Sequence, residues 1–96
     1  MRAAQRVERA AWLALIALHV EGGRLKRRDA VKLVAEKLAC SRRHARNILR
    51  YLVERGYVEP VVRGIAVEEV RITEKGREVV NRILTPLPPV AAPLTA

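Results

Sequence analysis

Residues Ser41 to Val58, SRRHARNILRYLVERGYV, carry both ends of one helix in their own letters. Ser41 is an N-cap residue whose hydroxyl can accept from a free amide in the first helical turn, and Gly56 is the residue type that ends a helix just past its last turn. Between them Ala45, Ile48, Leu49 and Leu52 recur at the three-and-four spacing of a buried stripe, so one face of this helix must pack. The other face carries Arg42, Arg43, His44, Arg46, Asn47 and Arg50, with no acid before Glu54. Exposed helices normally mix charges of both signs, because paired neighbours avoid self-repulsion. A row of four arginines without an acid calls for an anion from outside.

The charge of the whole chain supports that inference. Of the net charge of +9, the segment Arg24 to Arg55 supplies +8, from eleven Lys or Arg against Asp29, Glu36 and Glu54. A basic patch confined to one segment is the electrostatic footprint of a polyanion site, and nucleic acid is the commonest such partner. A hyperthermophile-like surface, the bland alternative, would pair its charges throughout. Asn47 among the arginines adds chemistry to the charge, since Asn and Arg present paired groups that match adenine and guanine edges in the major groove.

At 96 residues, half of them apolar, the chain suffices for one small domain with one core. Residues 1–84 are assigned to that domain. The single cysteine, Cys40, excludes an internal disulfide and fits a reducing compartment; between Leu38 and Ala45 it reads as packing. The apolar run from Ala10 to Leu18 lacks a cleavage pattern after it and is too short to span a bilayer, so no signal peptide and no membrane partner are expected, and a cytoplasmic, nucleoid-associated location is.

The first helix is expected from about Ala3 to Val20, stopped by Gly22-Gly23. Its centre, Ala10 to Leu18, has no polar face, and a helix apolar on every side is buried on every side. In a domain this small the remaining chain can cover only part of it, so a second copy is the expected cover for the rest, giving a homodimer. The stripe Val7, Ala11, Ala14 and Leu18, with Trp12 and Leu15 beside it, is assigned to that contact. Leu13, Ile16, Ala17 and Val20 are left for the chain's own core, although the two faces could be exchanged. The alternative is a central helix wrapped wholly by its own domain.

After the glycines, Arg24-Leu25-Lys26 is a short extended candidate, followed by a helix to about Ala39 with Ala30, Val31, Val34, Ala35 and Leu38 on its apolar face. Only Ala39 and Cys40 separate it from Ser41, so two helices meet across a tight turn. Beyond Gly56 the pattern changes period: Tyr57 to Val62 and Ala66 to Ile72 are rich in β-branched residues, and Arg63-Gly64 marks a hairpin turn between them. Pro60 places its strand at an edge or an irregularity. Thr73 caps a last helix with Val79, Val80, Ile83 and Leu84 as its apolar positions. From Thr85 onward, four prolines in twelve residues predict an extended or disordered tail, 85–96.

This order, an α+β and mostly helical arrangement with a long first helix, a hairpin and a final helix, resembles the winged helix-turn-helix family of DNA-binding proteins, of the small archaeal and bacterial regulator type. Two strings carry the resemblance: Ser41 through Val58, and Ile72-Thr73-Glu74-Lys75-Gly76-Arg77 at the strand-to-last-helix junction. It implies double-stranded DNA as partner, with Arg42, Arg43, His44, Arg46, Asn47 and Arg50 facing base edges in the major groove. Ser41, Arg24, Lys26, Arg27 and Arg28 would lie along the DNA backbone, where contacts position without reading sequence. The chain departs from the family pattern in having Ala39 where the turn often has glycine. It departs again in a hairpin where Glu59, Glu68 and Glu69 outnumber Arg63 and Arg71, leaving Arg63 at the tip as the hairpin's phosphate contact.

No catalytic or cofactor motif is present in the sequence. His19 and His44 lie on different helices without an acid or cysteine cluster near them, and Gly22-Gly23 lacks the strand, spacing and Lys-Ser/Thr of a phosphate loop. Neither a metal nor another cofactor is expected, a small-molecule pocket beside so small a core is not expected either, and the chain does not read as an enzyme. With Trp12, Tyr51 and Tyr57 as the whole aromatic set, base stacking on single strands is disfavoured relative to duplex binding. Three readings follow: a sequence-reading transcriptional regulator, an architectural protein that coats duplexes through phosphate contacts alone, and a domain for protein contact inside a replication or transcription assembly.

Overall fold

The structure, a computed structural model, describes residues 2–85, with side chains from Val7 onward. Its order is α1 (Arg2–Val20), β1 (Arg24–Lys26), α2 (Arg27–Leu38), α3 (Arg42–Glu54), β2 (Val58–Arg63), β3 (Ala66–Ile72) and α4 (Glu74–Leu84). The chain is therefore α+β and mostly helical, with four helices and one antiparallel sheet of order β1-β3-β2 among the described residues. The expected tail lies, beyond Thr85, outside the described residues.

The sheet explains Pro60. β2 is an edge strand, so a residue without an amide proton is tolerated there, and the register against β3 slips between Val61 and Val62, one residue further on. Val70 and Ile72 point inward from the central strand and are buried, while Glu69 and Arg71 alternate to the outer side.

The core is drawn from every element but β1. α2 contributes Ala30, Val31 and Val34; α3 contributes Ala45, Ile48, Leu49 and Leu52; Val58, Val70, Ile72 and Val80 close it from the sheet and α4. The buried stripe of α3 is the one its spacing predicts. Fully burying Ile48, Leu49 and Leu52 is worth roughly 1.5–3 kcal/mol each, so three such anchors hold the helix with its polar face outward. α4 is seated less deeply than its pattern suggests: Val80 is buried and Val79 half-buried, but Ile83 and Leu84 in the last turn are 45% and 49% exposed.

The faces of α1 are the reverse of the assignment made from the sequence. Ala11, Ala14, Leu15 and Leu18 are at most 2% exposed and form part of the chain's own core, so these four cannot contact a second copy. Val7 and Trp12 are half-buried, and Trp12 stands edge-on to Tyr57 with ring centroids 5.2 Å apart. The physical reason is side-chain size. Ala11 and Ala14 let the α1 backbone come close to the helices it packs on, and Leu15 and Leu18 fill the space beside them, which the bulkier stripe could not do. Leu13 and Val20 face outward at 58% and 70% exposure, with Ile16 and Ala17 half-buried between them.

One junction fixes how the last helix meets α3. The Thr73 hydroxyl donates to the Gly56 carbonyl at 2.6 Å and accepts from the Gly76 amide at 3.1 Å, and the Thr73 amide donates to the Tyr57 carbonyl at 3.0 Å. The Lys75 ammonium donates to the Arg55 carbonyl at 3.0 Å and sits 4.9 Å from the centre of the Tyr57 ring. Gly76 is packed so closely that a Cβ there would lie 2.1 Å from the Tyr57 carbonyl oxygen. The string from Ile72 to Arg77 is thus a clamp on the exit of α3.

Candidate nucleic-acid interface

The start of α3 is set by Ser41, whose side-chain oxygen accepts from the His44 amide at 3.0 Å while its carbonyl accepts from the Ala45 amide at 2.9 Å. From that start the helix turns Arg42, Arg43, His44, Arg46, Asn47 and Arg50 to the outside, all exposed. Among the described residues none of its four arginines lies within 4.0 Å of a carboxylate. The arrangement is unfavourable for the helix itself. The positive end of a helix dipole is ordinarily complemented by acids in the first turn, and α3 has none there but two arginines. α2 repeats the pattern with Arg27 and Arg28 beside the single Asp29, and its N-cap residue, Lys26, makes no side-chain capping bond.

These two positive ends open onto one groove of about 830 Å³. Lys26, Arg27, Arg28 and Lys32 line it from the start of α2, and Arg42 and Arg46 from α3. Asp29 is the one acid on that side. The opposite wall is the hairpin, through Val67, Glu68 and Glu69 of β3. Six cations and three carboxylates therefore line a site open to solvent, a balance that favours an extended anion.

The structure brings some of the expected residues together and separates others. Lys26, Arg27, Arg28, Arg42 and Arg46 share the groove; Arg43, His44, Asn47 and Arg50 lie outside it, further around or along the same exposed side of α3. Arg24 and Arg63 are held by the hairpin's own acids. The Arg24 guanidinium donates to the Glu69 carboxylate, and Arg63 lies 3.5 Å from Glu68 and 3.8 Å from Glu69. The Arg24 hydrogen bond, with the charges of Arg24, Arg63 and Arg71, holds the Glu69 carboxyl below its ordinary range against the opposing effect of partial burial, and the same bond raises Arg24. Arg71 is paired likewise, with Glu59.

Lys32, Glu68 and Glu69 line the groove without having been expected at the site from the sequence. Lys32 stands four residues after Arg28 on the same helical face, a spacing that could have revealed it. Glu68 and Glu69 form a wall only because β3 folds back past α2, and no local pattern announces that.

Among the described residues no three His, Cys, Asp or Glu side chains come together as a metal site, and no helix is long and apolar enough to cross a membrane. Comparison with protein-family models, with curated proteins and with solved structures finds no match to the chain.

Proposed function

We propose that the protein binds double-stranded DNA as a winged helix-turn-helix transcriptional regulator, with α3 as the helix that enters the major groove. The observation that carries this reading is the exposed face of α3, where four arginines and Asn47 stand with no acid before Glu54 and where, among the described residues, no arginine has a carboxylate partner, on a helix anchored by its other face. An element of 13 residues, about 20 Å long, spans the reach of a major-groove helix. The neighbouring groove supplies phosphate contacts through Lys26, Arg27, Arg28 and Lys32, so base reading and backbone positioning come from different elements.

The partner of a second copy is proposed on the outer stripe of α1, Leu13, Ile16, Ala17 and Val20, whose one-sided spacing suits a helix pair. Selection of bound duplexes from a random pool tests the main reading. A regulator enriches a motif; a coating protein binds without enrichment and with a steep salt dependence. Absence of duplex binding at moderate salt would end the DNA reading and leave protein contact in its place.

A further inference from the structure

Glu69 is placed oddly for a DNA-binding surface. It projects from the central strand on the outer side of the sheet, in register with Lys26 and diagonal to Arg24, and lines the same groove as Arg42 and Arg46. Its side chain is only 20% exposed, covered in part by the arginines around it, and Glu68 stands next to it at 52%. Arg24 and Arg63, two of the cations that the resemblance assigns to the DNA backbone, are paired with these carboxylates. A carboxylate and a phosphate present the same bidentate oxygens to a guanidinium.

We propose that Glu69, seconded by Glu68, is an internal competitor for duplex phosphate that holds down the protein's affinity for arbitrary DNA, an inference that rests on the DNA-binding reading. An incoming duplex must exchange Glu69 for phosphate at Arg24 and Arg63 while its own charge approaches the carboxylates across the groove. Both effects oppose binding that depends on phosphates alone. A duplex whose bases satisfy Arg46 and Asn47 offsets that opposition, and an unrelated one does not. The hairpin acids thus widen the gap between cognate and random sites.

The test is a titration of a random-sequence duplex at several salt concentrations with the parent protein and with Glu69→Gln, which keeps size and removes charge. Glu69→Gln is expected to bind random duplex about tenfold more tightly, and the slope of log K against log salt is expected to steepen by about 1–2 as Arg24 and Arg63 reach phosphates. In the Glu69→Gln background, Arg24→Ala should remove most of the gain in affinity and return the salt slope toward the parent's value. Should Glu69→Gln melt early, Glu68→Gln at an exposed position should show the same direction with a gain of about threefold. If the parent binds duplex and neither variant tightens it, the competitor is disproved while the DNA reading stands. If Glu69→Gln instead weakens binding and loses preference at a C·G pair, Glu69 reads cytosine directly and the inference is wrong. If the parent binds no duplex at all, the DNA reading falls and this inference with it.

Discussion

Ala39 sits in the left-handed region, φ 53° and ψ 47°, at the tight turn between α2 and α3, where its own Cβ opposes the conformation. The turn is closed by the Cys40 amide donating to the Ala35 carbonyl at 3.0 Å, so the conformation is imposed by the two helices it joins. Ala39→Gly should stabilise the fold by about 0.5–1 kcal/mol, the strain relieved exceeding the added freedom of the unfolded chain, and a thermal melt reads it as a rise of a few degrees. A fall would mean the turn carries no strain. Charged residues separate by what they touch. In the DNA reading, Arg46→Ala or Asn47→Ala should remove roughly 1–3 kcal/mol of discrimination at particular base pairs, measured by competition between cognate and mutated sites. Arg27→Ala or Arg28→Ala should weaken all sequences alike and reduce the salt slope by about one per lost phosphate contact. If all four behave in the second way, the protein coats DNA without reading it.

At the level of elements, α3 was fully legible and α1 was not, and the difference is physical. α3 has a cap, a stop, an apolar stripe and a charged face, so each residue's side follows from local period alone. α1 is apolar all round between Ala10 and Leu18, so period cannot choose its inner face; the choice is made by the small Ala11 and Ala14 where α1 meets other helices. Five of the groove's six cations, all but Lys32, were legible, but not the groove itself, because its walls come from α2, α3 and β3, far apart in the chain. The junction at Gly76 is another such case. A helical glycine replaced by alanine normally gains about 1 kcal/mol, yet here the new Cβ would lie 2.1 Å from the Tyr57 carbonyl, a backbone atom that moves only with the β2 entry. Gly76→Ala should therefore destabilise by about 3 kcal/mol, a fall in Tm of roughly 10 °C or more. A variant as stable as the parent would show that α4 is not held against Tyr57 as described.

For the whole molecule, the charge and the apolar surface fall on different elements. The cations gather at the starts of α2 and α3, while Leu13 and Val20 on α1 are exposed apolar side chains. Sedimentation at micromolar concentration should show a dimer, and Leu13→Glu should shift it to monomer and remove the concentration dependence of the melting temperature; a parent that sediments only as a monomer contradicts the proposed α1 pairing. A two-fold dimer would present its two α3 helices to successive major grooves about 34 Å apart. That geometry makes the central proposal directly measurable by base methylation of a bound duplex, since guanine N7 lies in the major groove and adenine N3 in the minor. Guanine N7 should be protected in two patches one helical turn apart, with that protection lost in Arg46→Ala, and adenine N3 should stay reactive. Protection of adenine N3 with guanine N7 unprotected would contradict the proposal.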